Sequence, residues 1–315
     1  MILRLRHNPR FLVSAGMVMA VAALAFIGPL LPSGSDPFRK VGGLYDPPSA
    51  GLWLGTDNFG RDVFVQLMYG ARTSLTIGLI AGAVATLIGV VLGTVAGFRG
   101  GVLEELLMGV TNVIIAIPAI VFLILLSYAL STRSVLTMAL VIGVTSWPWT
   151  ARAVRAQASS LRTREHVDMA RLSGAGTVRL IAFEVVPYML SYISLAFVLQ
   201  LATAILAEAG LSLLGLGPSN TVSLGIMLYW ALLWESVRTG AWWAFVPPTL
   251  LLTVIAFALL MLQSSLNEVF NPRLQPGARR GRPGSLSQPL AAAPLPLPIL
   301  PPPTTDPDAV TGARP

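Results

Sequence analysis

The chain has 315 residues, of which 54% are apolar and 11% charged, and 21 Lys and Arg against 14 Asp and Glu leave a formal net charge of +7. A soluble domain carries about 25% charged residues, so this composition excludes an ordinary water-exposed fold. Cysteine is absent, which excludes disulfides and thiolate metal sites; His7 and His166 lack neighbouring ligands at metal-binding spacing, and no cofactor is expected.

The apolar residues fall in blocks. Uncharged runs near the roughly 20 residues that cross a bilayer are Phe11–Leu31, Ser74–Phe98, Leu106–Leu130, Val135–Ala151, Pro187–Ala207 and Ala244–Gln263. They predict an all-α polytopic membrane protein of about six transmembrane helices. The first run follows Arg4, Arg6 and Arg10 as a signal peptide would, but it exceeds the usual apolar core and Gly28-Pro29-Leu30-Leu31-Pro32 is a poor cleavage site, so an uncleaved span is expected. Residues 1–10 then form an N-terminal segment, and 32–73 an outside loop in which turn-formers give way to an interfacial helix with Val63, Leu67 and Gly70 on one face.

The second span carries Gly78, Gly82, Gly89, Gly93 and Gly97, two sets at four-residue spacing. Small-residue ridges of this kind let helix backbones approach closely in lipid. Residues 74–270 are read as a core of five spans that contains a polar loop at 152–186. Trp230, Trp234, Trp242 and Trp243 fit an aromatic belt at the outer interface. The proline-rich segment at 271–315, with "PLAAAPLPLPILPPP", is read as a disordered or polyproline tail.

Cytoplasmic segments hold more Lys and Arg. With the N-terminus inside, the cytoplasmic side takes Arg4, Arg6, Arg10, Arg99, the cluster Arg152, Arg155, Arg162, Arg164, Arg171 and Arg179, and the five arginines from Arg273 onward. Arg39, Lys40, Arg61, Arg72, Arg133 and Arg238 remain outside, so both termini are expected in the cytoplasm. The net charge is mostly this asymmetry, and no interleaving of basic and aromatic residues points to nucleic acid.

The predicted spans contain no Asp, Glu, Lys, Arg or His; Glu184 and Glu208 are expected near the interfaces at the two ends of the fifth helix. A proton relay is hard to build without intramembrane charge. Sodium coupling through backbone carbonyls at broken helices is an alternative, which keeps an ion-coupled secondary transporter as the rival reading. A scaffold whose basic loop binds anionic lipid is a second rival. No His-Glu-x-x-His or Gly-x-Ser-x-Gly supports intramembrane proteolysis. A phosphate loop needs Gly-Lys-Ser/Thr, and the one lysine, Lys40, precedes Val41. Energy from ATP must therefore come from another subunit.

Within the polar loop, "TREHVDMARLSGAG" predicts a short helix over about Arg164–Ser173. Thr163 is the expected N-cap, Glu165 suits the positive start, Asp168 precedes Arg171 by three residues, and Gly174 and Gly176 provide the stop. So short a helix is marginal alone, and its narrow face of Val167, Ala170 and Gly174 suits a partner's groove or a plain connector equally.

From this loop the chain is recognisable. "REHVDMARLSGAGTVRLIAFEVVP" resembles the EAA loop of inner-membrane permeases of binding-protein-dependent ABC importers, with Asp168-Met169-Ala170 at the triplet and Gly174 four residues beyond Ala170. Together with "LGTDNFGRDVFVQLMYGARTSL", "WTARAVRAQASSLRTREHVDMARLSGAG", "EAGLSLLGLG" and "NPRL", in order from about residue 11 to 274, it is similar to the C-type permease of dipeptide and oligopeptide importers. Met169 departs from the family's alanine, and "LGIMLYWALLWES" follows the family loosely.

The resemblance implies a type I ABC importer permease fold and a subunit without enzymatic activity of its own. It also implies its partners: a second permease, a different one in a heterodimer, a pair of ATP-binding cassette subunits, a periplasmic solute-binding protein, and the lipid bilayer, with no nucleic acid. Glu165, Asp168, Met169, Ala170, Arg171 and Gly174 would form the element that docks on the ATPase. The solute would be a dipeptide, longer peptide, glutathione or nickel. Asn112 and Gln200 are polar enough within their spans to be pathway candidates.

Overall fold

The structure is a computed structural model, and it describes residues 8–30, 36–130 and 132–270; the proline-rich segment from residue 271 lies outside them. Ten α-helices are present among these residues: α1 (Pro9–Ile27), α2 (Val63–Arg99), α3 (Gly101–Ala116), α4 (Ala119–Ala129), α5 (Val135–Leu161), α6 (Glu165–Leu172), α7 (Thr177–Leu180), α8 (Val186–Leu213), α9 (Leu224–Leu233) and α10 (Val246–Phe270). Four segments are long and apolar enough to cross a membrane, namely 9–30, 63–99, 177–213 and 242–270. The pair α3 and α4 makes a fifth if taken as one broken span.

The third span is thus not a single rod. α3 and α4 meet at a bend of 86°. Pro118 explains the break: it lacks an N–H and disfavours helical backbone at the residue before it, and Ile117 is extended at φ −83° and ψ 127°. The predicted fourth span is the first part of α5, which runs on to Leu161. Its second half carries Trp147, Pro148, Trp149, Arg152 and Arg155, so α5 is long enough to cross but less apolar than the others.

α2 also exceeds expectation. The interfacial helix predicted before the second span is its first three turns, and no break separates them. Asp62 caps it, accepting from Phe64 N at 2.8 Å and Val65 N at 3.4 Å. At 1.5 Å per residue α2 is about 55 Å long, longer than a helix needs to cross the roughly 30 Å hydrocarbon core along the normal.

α2 is the centre of the bundle, packed along α5 and α8. Its glycines divide the work between two partners. A Cβ on Gly82 would come within 3.0 Å of Leu201 N on α8, and one on Gly93 within 2.9 Å of Val154 Cβ and 3.0 Å of Arg155 N on α5. Glycine here permits backbone contact that any side chain would block.

α1 lies against α10 at the periphery. Arg10 pairs with Glu268 at 2.8 Å, so the start of α1 and the end of α10 share one side of the bundle. The loop 36–62 is pinned rather than loose. Thr56 Oγ1 donates to Gly43 O and accepts from Asp46 N, and Trp243 Nε1 donates to Thr56 O. Trp230 and Trp234 pack edge-on against Phe59, which gathers the tryptophans of the predicted belt around this loop.

Candidate functional site: the short helix, the polar centre and a buried carboxylate

α6 begins one residue later than the sequence suggests, with Arg164 rather than Thr163 at the N-cap and no side-chain cap. Its end is well determined. Gly174 N donates to Arg171 O at 3.0 Å and Ala175 N to Ala170 O at 3.1 Å, the paired bonds of a Schellman stop. This geometry needs left-handed backbone at Gly174, and φ there is +83°. A Cβ on Gly174 would meet nothing within 4 Å. The demand for glycine is thus conformational and not a matter of space.

The narrow apolar face does not await a partner. Val167 is 0% exposed and packs with Phe98, Val154, Ala158, Leu180, Val185 and Met189. Burying such a side chain contributes about 1.5–3 kcal/mol, which is how a helix of eight residues persists. His166 stacks on Tyr188 with ring centroids 4.2 Å apart, a second tie between α6 and the start of α8. Ala170 is half-buried on the same side.

What α6 leaves outward is different. Met169 is 66% and Leu172 84% exposed, and Glu165 is exposed as well. Asp168 and Arg171 pair at 2.9 Å with about half of each side chain in solvent. Val178 and Phe183, just beyond, are also bare. The open surface is therefore an apolar ridge with charges beside it. Between α6 and α8 the helix widens to π geometry over Ile181–Val185. Pro187 cannot donate to Phe183 O, so the ladder shifts there.

Asn112 and Gln200 are each bonded to α5, and the structure shows no contact between them. Asn112 Oδ1 accepts from Arg152 Nη2 at 2.7 Å. Gln200 Nε2 donates to Thr150 Oγ1 at 2.7 Å and Ser146 O at 3.0 Å. Two cavities adjoin Gln200 and Trp149. One, of about 540 Å³, opens at the Ile117–Pro118 bend. The other, of about 590 Å³, includes Tyr188, Tyr192, Gln263 and Asn267. Among the described residues no charged side chain lines either.

The burial of Glu208 was not foreseen from the sequence. This residue was expected near an interface, because the uncharged run stops at Ala207; the helix continues to Leu213 and Glu208 is 0% exposed. Ser74 Oγ donates to it at 2.9 Å and Ser212 Oγ at 2.7 Å, with Ser223 as a third partner. The signal was present: Ser212 lies four residues on, one helical turn away. Among the described residues no group of His, Asp and Glu could hold a metal.

The family model "Binding-protein-dependent transport system inner membrane component" matches residues 89–276. The chain is similar to the dipeptide transport system permease protein DppC of Bacillus subtilis (strain 168), 32% identical over 86% of this chain and 84% of that protein. It is also similar to the oligopeptide transport system permease protein OppC of the same organism, 32% identical over 87% and 88%. Among solved structures, inward-facing MetNI methionine ABC transporter covers 64% of this chain at 19% identity, with a TM-score of 0.49.

Proposed function

The chain belongs to the family of binding-protein-dependent transport system inner membrane components, and on that premise we propose that its solute is a di- or oligopeptide and that ATP drives it through α6. It is a membrane permease subunit without catalysis of its own, and ATP hydrolysis lies in separate subunits. Its system includes those ATP-binding subunits and a solute-binding protein.

The observation that carries the coupling proposal is the division of α6 into two faces. Val167 and the His166–Tyr188 stack fasten it to α8, while Met169 and Leu172 project outward. Such a helix can enter a cleft on an ATPase and pass its displacement to α8 as one body. Glu165, Asp168 and Arg171 flank the apolar ridge, and Gly174 sets its end. The π segment at Ile181–Val185 is where α8 can take up the change. Gln200, and Asn112 more distantly, line the route of the solute.

The termini face the cytoplasm in this reading, supported by the arginine distribution and by the Arg10–Glu268 pair that holds both ends of the bundle on one side. A second, different permease completes the pathway. The bent pair α3–α4 presents Leu106, Val113, Leu125 and Tyr128 outward, a surface fit for that partner or for lipid.

The chain lacks cysteine, so Leu172→Cys is a unique handle. In the assembled importer a short thiol cross-linker should join it to the ATP-binding subunit, with a yield that changes on adding ATP. Absence of any cross-link, while the two subunits still co-purify, would place the contact elsewhere.

A further inference from the structure

A third cavity, of about 300 Å³, lies at the end of α8 remote from α6. Phe38, Phe59, Tyr229 and Trp230 wall it, and Arg61 and Arg133 line it. Both arginines are half-buried. The Arg61 guanidinium stacks over Phe59 and Phe38, 4.4 and 5.2 Å from the ring centroids. Stacking of this kind occupies the face of the guanidinium and leaves its N–H edge open. Arg133 Nη1 donates to Gly215 O at 3.0 Å, which holds the side chain in place, and among the described residues its other guanidinium donors have no hydrogen-bond partner.

The acids of this region are committed elsewhere. Asp36 accepts from Phe38 N, Asp46 from Gly43 N, and Asp57 from Phe59 N, Arg61 N and Gln66 Nε2. Asp62 caps α2 and Glu235 pairs with Arg238. Among the described residues no carboxylate lies within ion-pairing distance of Arg61 or Arg133. Glu208 is close by in the helix, but it does not line the cavity; what it contributes there is the hydroxyl of Ser212, whose proton it accepts.

We propose that this cavity binds the free carboxylate of the solute through Arg61 and Arg133 before the solute moves inward along α8. A planar guanidinium matches a carboxylate with two parallel hydrogen bonds, and a concave site of this volume takes a chain end rather than a broad protein surface. Ala207, Thr203 and Gln200, which line the next cavity, sit on the same helix one to three turns further in. The proposal rests on the orientation and solute class given above.

Phenylglyoxal modifies accessible guanidinium groups, and peptide mapping by mass spectrometry reads each arginine separately. The membrane complex of both permeases and the ATP-binding subunits, in lipid nanodiscs and without the solute-binding protein, is treated with and without N-acetyl-Ala-Ala at high millimolar concentration. The carboxylate should slow modification of Arg61 and Arg133 together by about tenfold and leave Arg238 unchanged. N-acetyl-Ala-Ala amide should not protect. N-acetyl-Asp-Ala amide separates a side-chain carboxylate from a chain terminus as the source. Arg61→Gln should abolish protection at Arg133, and Arg61→Lys should restore part of it. Equal protection by the amide, no protection by either carboxylate, or protection only when the binding protein is added would each overturn the proposal. The assay requires neither ATP nor transport, so failed uptake would count against the coupling reading without deciding this one.

Discussion

Ser74 Oγ on α2 donates to Glu208 Oε2 on α8 at 2.9 Å and accepts from Leu224 N, at the start of α9, at 3.2 Å. One carboxylate thereby joins the central helix, the helix that leads to the coupling element and the short helix at the far end. Leaving a buried hydroxyl without its partner costs about 1–3 kcal/mol. Glu208→Ala should therefore lower the melting temperature of the detergent-solubilised chain clearly, and Glu208→Gln by less, because the amide keeps an acceptor. Equal melting of Glu208→Ala and wild type would show that this junction holds nothing.

Gly93 and Gly109 make a matched pair. A Cβ on Gly93 would press on Val154 Cβ and Arg155 N, whereas one on Gly109, in α3, would meet nothing within 4 Å. Overpacking costs about 1–3 kcal/mol, and removing glycine from an open helix position gains about 0.5–1 kcal/mol. Gly93→Ala should destabilise the chain and Gly109→Ala should not, as read by thermal unfolding in detergent.

The pairing of glycines with neighbouring helices, the position of α6 and the left-handed turn at Gly174 were legible because each follows from local spacing. The burial of Val167 was not: eight residues reveal which face is apolar but not whether the chain or a partner covers it. Pro118 was visible, yet a proline marks a break without giving its angle. The burial of Glu208 was not legible either, because the uncharged run that ends at Ala207 does not show that serines from α2, α8 and the α9 cap enclose the next residue. Thr163 failed as a cap because the helix starts a residue beyond its reach.

Gln200 borders both central cavities and donates to Thr150 and Ser146. Gln200→Leu removes those donors at a cost of about 1–2 kcal/mol and makes the route apolar. Uptake by the reconstituted importer should fall while the ATPase still co-purifies. Unchanged uptake would assign Gln200 to helix packing alone.

The Asp168–Arg171 pair is half exposed on both sides, and exposed pairs contribute about 0–1 kcal/mol. Asp168→Asn should leave the melting temperature almost unmoved, and any loss of ATP-driven uptake would then report on docking. A large drop in melting temperature would instead make the pair structural.

The central claim is that the outward ridge of α6 receives the work of ATP. Leu172→Asp alters a side chain that is 84% exposed and leaves Val167 and the His166–Tyr188 stack in place. ATP-driven uptake in proteoliposomes, measured alongside co-purification of the ATP-binding subunit, is the direct test. The account predicts a variant that inserts and melts normally yet loses both uptake and its ATPase; normal uptake with the ATPase still bound would contradict it.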